Sequence, residues 1–298
     1  MSYFNYNLKT LMKSINNLIS DIYDVVGRQS GWFNEPEVFS RELGLKILEK
    51  SHPREEVPRL RLSQMGPVCE KQLWYSIHQP SAQEAIPAYA RIKFLYGDIL
   101  ESLVIAMAKA AGHEVTGEQD AVSVDGVTGH RDCVIDGCVV DVKSAATRPF
   151  KLIQDKKMVD DVFLCSYLDQ LDGYLVGSTG DPLVRQTNTG YILAIDKTLG
   201  HLTLYEHSLR KSYIEERIRR YKGIVSLAAA PACTCGTVAD GKSGNIKLDV
   251  KASYSNFKHT CFPHLRTFLY ATGPVHLTKV VRTPDVTEVD RDGNYIYH

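Results

Sequence analysis

Residues 129–145, GHRDCVIDGCVVDVKSA, hold the side chains whose types and spacing carry chemistry. Asp136-Gly137 reads as a two-residue hairpin turn. With that turn Ile135 stands opposite Cys138, and counting back along both strands sets Asp132 opposite Asp141 and His130 opposite Lys143. Side chains alternate along a strand, so Asp141 and Lys143 share a face. Opposed residues lie roughly 4.5–5.5 Å apart at Cβ, where like charges destabilise the pair. Two accounts of these acids remain open. In one they face solvent on an edge hairpin, with Lys143 as a neutralising neighbour. In the other they hold a divalent cation, because hard carboxylate oxygens suit Mg²⁺ or Mn²⁺, and Lys143 orients a water or stabilises negative charge on a phosphate. The second account is the chemistry of metal-assisted phosphodiester hydrolysis.

The flanking segments add to it. The preceding stretch YGDILESLVIAMAKAAG reads as the end of a helix over 88–111, closed by Gly112. Glu101 lies in line with Val104, Ile105 and Ala108, an acid within an otherwise apolar surface; a partly buried acid needs a cation or a hydrogen-bond donor. The following stretch, SYLDQLDGYL, reads as part of a helix over 161–176, with Gln170 and Tyr174 four apart on one face.

Gly97-x-x-x-Glu101, Gly129-x-x-Asp132, Asp141-Val-Lys143 and Gln170-x-x-x-Tyr174 together resemble the motif series of the PD-(D/E)xK nucleases, in their RecB-like branch. The resemblance spans about 97–174. It implies a restriction-endonuclease-like α/β core of order αβββαβ, a mixed sheet flanked by helices. It also implies Mg²⁺ or Mn²⁺ held by Glu101, Asp132 and Asp141, with Lys143 assisting attack by water and Gln170 and Tyr174 supporting substrate and site. Four of the seven cysteines extend it. Cys69 stands before the core in CEKQLWY, while Cys233, Cys235 and Cys261 come after it, the last in FKHTC. This distribution resembles the Cas4 and AddB nucleases and implies a [4Fe-4S] cluster clamping the two ends of the chain. The spacing Cys233-Thr-Cys235 with a distant Cys261 departs from that family's tighter grouping, so Zn²⁺ remains an alternative, with His259 or His264 as a substitute ligand. Cys133, Cys138 and Cys165 read as small buried hydrophobes.

The elements that must position these residues emerge from periodicity. An amphipathic helix is expected over 7–27, with Leu8, Leu11, Met12, Ile15, Leu18, Ile19, Ile22 and Val25 on one side, then a helix over 36–50 and a linker over 51–61. Residues 62–76 enter a short helix. Three short strands come after the long helix, punctuated by Asp125-Gly126 and Asp136-Gly137, then a loop over 144–160. GYILAID and HLTLYEH pair about Lys197–Gly200, and a charged helix leads to a cysteine-bearing tail. The expected organisation is a helical extension (1–62), a nuclease core carrying the first cluster cysteine (63–230) and a C-terminal cluster-binding segment (231–298).

The chain's 298 residues carry 35 Lys plus Arg against 35 Asp plus Glu, so any DNA must be held by local patches. Candidates are Arg91 and Lys93, Ser144, Arg148 and Lys151 beside Lys143, Lys156 and Lys157, and the basic run from Arg210 to Lys222; Glu215 and Glu216 are expected to pair with the arginines just beyond them. Phe150, Trp74 and Tyr75 are candidates for stacking on bases, and the latter two equally for packing around the cysteine site. An odd cysteine count without a signal-peptide-like run points to a reducing compartment, the cytoplasm, or the host's if the gene is phage-borne. No membrane contact is expected. The expected substrate is DNA, single- or double-stranded, attacked from its ends in recombination, repair or degradation, alone or with a recombination or replication protein. The rival expectation is a non-catalytic DNA-binding or scaffold protein organised by zinc or iron–sulfur.

Overall fold

The computed structural model describes residues 13–31, 36–52 and 57–296. In chain order its elements are α1 (Leu18–Val26), α2 (Pro36–Ser51), α3 (Glu70–His78), α4 (Ala88–Ala110), β1 (Val115–Thr116), β2 (Ala121–Val124), β3 (Val127–His130), β4 (Cys133–Ile135) and β5 (Cys138–Ala145). Then come α5 (Thr147–Gln154), α6 (Leu164–Gly177), β6 (Gln186–Asp196), β7 (Leu202–Ser208) and α7 (Lys211–Val225). The C-terminal part contributes β8 (Thr237–Ala239), β9 (Ile246–Leu248), α8 (Val250–Ser253), α9 (Lys258–Cys261), β10 (Arg266–Tyr270), β11 (Gly273–Lys279), β12 (Glu288–Val289) and β13 (Tyr295–Ile296). No described helix is long and apolar enough to cross a membrane.

A five-stranded mixed sheet, in the order β1-β4-β5-β6-β7, forms the centre. Only β5 and β6 run parallel within it, and α5 and α6 make the crossover between them. Counting only the strands of this sheet, β1, β4 and β5 follow α4 and β6 follows the crossover, a mixed α/β core of the expected αβββαβ order; β2 and β3 add a separate hairpin, so five strands rather than three follow α4. The central strands β4, β5 and the second half of β6 are buried on both faces, which is why they read as runs of Val, Ile and Leu. On one face Val134, Val139, Ile192 and Ala194 meet α5, α6 and α7; on the other Ile135, Val140, Val142 and Leu193 meet α1 and α4. In α1 Leu18, Ile22 and Val25 are buried on that second face. Ile15 belongs to a 3-10 turn before it, while Leu8, Leu11 and Met12 lie outside the described residues.

Both Asp-Gly pairs form the tight turns their chemistry demands. Asp125 and Gly126 have φ of 50° and 79°, Asp136 and Gly137 50° and 78°, so both central residues are left-handed, as a type I′ hairpin requires. Ile135 therefore does stand opposite Cys138. The count fails farther from the turn. Pairing of β4 with β5 ends at Cys133–Val140, and His130 belongs to β3, where it faces Ala121 in a separate hairpin with β2. His130 is thus not opposite Lys143. Arg131 causes the divergence: its buried guanidinium bonds Ser178 and Asp120 (both 3.0 Å) and pairs with Asp181 (2.7 Å), turning the chain off the sheet.

Residues 144–160 are not a loop. They hold α5 and a 3-10 turn whose Phe150, Ile153 and Met158 enter the core. Residues 237–296, where the sequence offered a cluster-binding segment and tail without strands, form a six-stranded antiparallel sheet in the order β13-β12-β10-β11-β9-β8. Its strands are short and their burial irregular, so no clean alternation marks them in the sequence.

Candidate nuclease site and four-cysteine centre

The site lies where β3 and β4 diverge. Val139, Asp141 and Lys143 alternate with Val140 and Val142 along β5, which turns Asp141 and Lys143 toward α6. Asp141 is fully buried and Asp132 nearly so. One oxygen of Asp132 accepts the backbone N–H of Val142 at 2.7 Å, which ties the two strands together beyond their last ladder pair. Lys143 Nζ reaches both oxygens of Asp141, at 2.8 and 2.7 Å. Of these, Oδ2 is buried with no hydrogen-bond geometry to any partner, so its contact with the lysine is purely ionic.

Gln170 donates to Tyr174 Oη at 2.6 Å and approaches Asp141 Oδ1 at 3.5 Å. The four-residue spacing on α6 thus supports the strand acids directly. Tyr174 is buried, and that burial holds its phenol above the usual range. Gly129 allows the approach, because a Cβ there would lie 2.9 Å from the Tyr174 ring and 3.0 Å from Leu62 Cβ. Tyr167 covers the other side, with the Lys143 ammonium 5.1 Å from its ring centre.

This crowding sets the electrostatics. Burial first, and then the charge of Asp141, push Asp132 up to about 7. Asp141 is likewise raised, chiefly by burial. Burial alone would depress Lys143, but the charges of Asp141 and Asp132 outweigh it and hold the ammonium above its ordinary value. Two buried acids and one lysine leave a negative charge that wants another cation.

Glu101, on α4, stands at one wall of an adjoining cavity of about 1040 Å³ whose lining also includes Lys46, Lys50, Asp98, Gln119 and Asp132. Burial, then Asp132, raises its pKa. Lys46 (2.9 Å) and Gln119 (3.0 Å) both donate to its Oε1. Neither donor was singled out from the sequence. Gln119 carries a mark of its site, however: its φ is +57°, unusual for a residue with a side chain, and its backbone N–H donates to the carbonyl of Asp132. Among the described residues no three acids bring ligand atoms within 4.8 Å of one another, and only the four cysteines meet that distance. Glu101, Asp132 and Asp141 therefore share one neighbourhood without being closely gathered. The donor set, three carboxylates around buried negative charge with an Asp141 oxygen that accepts no hydrogen bond and meets only the Lys143 charge, fits a hard divalent cation.

The four cysteines meet as their order suggested. Cys69 caps the start of α3, Cys233 and Cys235 lie in the loop after α7, and Cys261 ends α9. Cys69 and Cys233 are 3.9 Å apart at sulfur, and Gln72 donates to Cys235 at 2.8 Å. Such a set fits a thiolate-bound metal centre. His259 is not part of it: its Nδ1 is 2.8 Å from Glu84, which also pairs with Lys258, and His264 is exposed. Of the remaining thiols, Cys133 and Cys138 are buried, and burial pushes Cys138 up to about 11. Cys165 is only half-buried, contrary to expectation.

The basic candidates divide. Arg91 and Lys93 are exposed on the projecting start of α4, Lys93 over the ring of Tyr89 at 5.5 Å. Arg148 and Lys151 are exposed on α5, and Ser144 is half-buried beside Gly97. Phe150 is core and cannot stack on a base. Trp74 stacks on His78 at 4.3 Å and donates to the carbonyl of Leu227. Most of the α7 run is committed internally: Arg210 to Asp169 and Asp172, Arg217 to Asp169, Arg220 to Glu70 and Lys222 to Asp125. Glu215 pairs back to Lys211 (3.9 Å) rather than forward to the arginines.

No family model matches the chain, and no curated protein matches it. Among solved structures it is similar to the crystal structure of SSO0001, at 16% identity and a TM-score of 0.42, over 76% of this chain and 97% of that one. It is also similar to an alkaline exonuclease (LHK-Exo) from Laribacter hongkongensis, at 15% identity and a TM-score of 0.41, over 57% of this chain and 87% of that one. Both likenesses are distant, and what the site can do is decided by its own residues.

Proposed function

We propose that this chain is a metal-dependent deoxyribonuclease of the RecB-like PD-(D/E)xK type, hydrolysing phosphodiester bonds from DNA ends. The observation that carries the reading is the buried pair Asp132 and Asp141 with Lys143 salt-bridged to the second acid. Burying two acids side by side is costly, and a scaffold or a plain DNA-binding module gains nothing from it. Glu101, Asp132 and Asp141 would hold Mg²⁺ or Mn²⁺. The bound ion would supply Lewis-acid polarisation of the scissile phosphate and a more acidic water. Lys143 would orient that water and stabilise charge on the phosphate. Water oxygen would bond to phosphorus as the bond to the leaving ribose oxygen breaks, the attacking water giving one proton to solvent and the leaving oxygen taking one from solvent. Gln170, fixed by its bond to Tyr174, would steady Asp141. Arg91, Lys93, Ser144, Arg148 and Lys151 remain the proposed substrate contacts. A cytoplasmic location and a recombination or replication partner belong to the same reading.

The four thiolates would carry a structural centre. The likeness of cysteine order to the Cas4 and AddB nucleases supports [4Fe-4S]. A second reading rests on the spacing: four sulfurs within 4.8 Å suit a single tetrahedral Zn²⁺, whose bonds of about 2.3 Å set sulfurs nearly 4 Å apart. Iron, zinc and sulfide analysis of anaerobically purified protein decides between them.

The nuclease is tested on 5′- and 3′-labelled single- and double-stranded DNA, with closed circles alongside. Linear DNA should be degraded with Mn²⁺, not with EDTA, and not by Asp132→Ala or Asp141→Ala, while closed circles survive. If wild type and Asp132→Ala behave alike, the catalytic reading is wrong.

A further inference from the structure

Helix α2 carries no chemical motif, yet it roofs the candidate site. None of its residues is buried, and Leu45 and Leu48 remain exposed. Its ties to α4 include Lys46–Glu101 at 2.9 Å, Lys50–Asp98 at 3.1 Å and Glu42–Lys109 at 4.0 Å. A helix attached this way can exchange partners without disturbing a core.

The first of those ties falls on a proposed metal ligand. Lys46 and Gln119 load the same oxygen of Glu101, and the three acids are not gathered to within 4.8 Å. Charge balance sets the outcome when a cation enters. Three carboxylates are balanced by Lys143 plus one divalent ion. Keeping Lys46 on Glu101 as well would leave one excess positive charge in a secluded space, at repulsive distance from the ion. The displaced ammonium stays in the cavity it already lines with Lys50, where the next anion to arrive would be a DNA phosphate.

Building on the nuclease reading, we propose that Lys46 and the divalent cation are alternative partners of Glu101, and that α2 transfers Lys46 from that carboxylate to a substrate phosphate as the metal enters. Lys46 is then a substrate-binding residue held in reserve, while Lys50 stays paired with Asp98. The exchange also gives an order of events, in which metal occupancy prepares the phosphate grip.

The test uses the full chain, first without DNA. Mn²⁺ is titrated by electron paramagnetic resonance into wild type, Lys46→Met and Lys46→Arg, with Asp132→Asn marking which binding belongs to this site. Lys46→Met should bind Mn²⁺ about tenfold more tightly, because a competing charge has gone; Lys46→Arg, which retains the charge, should match wild type. Binding of a labelled oligonucleotide is then monitored by anisotropy in Ca²⁺ over a salt series. Lys46→Met should bind more weakly, with its salt slope reduced by roughly 0.7–0.9 for one lost phosphate contact. Unchanged or weaker Mn²⁺ binding by Lys46→Met would overturn the exchange and make Lys46 a positioning residue for Glu101. Unchanged DNA affinity and slope would overturn the transfer to phosphate. If wild type shows no Mn²⁺ binding that Asp132→Asn abolishes, the nuclease reading itself falls, a result distinct from either.

Discussion

At the scale of single residues, Asp132 concentrates the physics of the site. Its carboxyl is raised from 3.8 to about 7, by burial first and then by Asp141. A native state that keeps a proton the unfolded chain has lost is destabilised as pH rises between those two values. Metal-free protein should therefore melt progressively lower as pH rises from about 4 to about 7 and level off above it, a loss on the order of a few kcal/mol. Asp132→Asn should flatten that slope, and Mn²⁺ should restore wild-type stability at pH 8. A metal-free melting temperature that climbs over this range contradicts the assignment. Gly129 gives a second expectation. A methyl group there would strike both Tyr174 and Leu62, so Gly129→Ala should destabilise by about 1–3 kcal/mol in denaturant unfolding and lower activity through displaced Tyr174.

At the scale of elements, what was legible in the sequence had a local cause. Asp-Gly turns dictate their own φ values, so the register next to Asp136-Gly137 could be counted. Helical spacing likewise brought Gln170 onto Tyr174. The count failed at His130 because Arg131 draws partners from distant segments, Asp120, Ser178 and Asp181, and nothing local announces that break. Lys46 and Gln119 escaped for the same reason: each reaches Glu101 from an element whose own pattern is unremarkable. Helix α6 offers a further case. Its motif face presents Gln170 and Tyr174, while Asp169 and Asp172 on the other side accept Arg210, Arg217 and His207. This network fixes α6 against α7 and so steadies the face that supports Asp141. Removing one partner of a buried ionic network typically costs about 3–5 kcal/mol. Asp172→Ala should lose stability of that order in chemical denaturation, and the slope of the unfolding transition should stay constant if the fold is retained.

At the scale of the whole molecule, the four-cysteine cluster is the point where segments from before and after the central sheet meet. Cys69 stands before the core, and Cys233, Cys235 and Cys261 come after it. The short helix that carries Cys261 has little apolar anchorage of its own, none of its four residues being buried. Its position is set instead by Glu84, which pairs with Lys258 and accepts the backbone N–H and ring nitrogen of His259 at 3.1 and 2.8 Å. Those partners outweigh the burial of Glu84 and hold its carboxyl down at about 2. Because Glu84 precedes α4 and α9 leads into the C-terminal sheet, this one carboxylate fastens the sheet beside the cysteines of the core. Ligands drawn from segments far apart in sequence bind metal only as well as the fold holds them together. Glu84→Ala should therefore lose metal loaded at the four cysteines to a chelator at least several-fold faster than wild type, while Mn²⁺ binding that depends on Glu101, Asp132 and Asp141, none of which bonds to Glu84, should be unchanged. Metal release monitored by absorbance, beside Mn²⁺ titration of the same preparation, checks both halves. Equal release rates would mean that the C-terminal sheet is held by its other contacts and that Glu84 is dispensable to the centre.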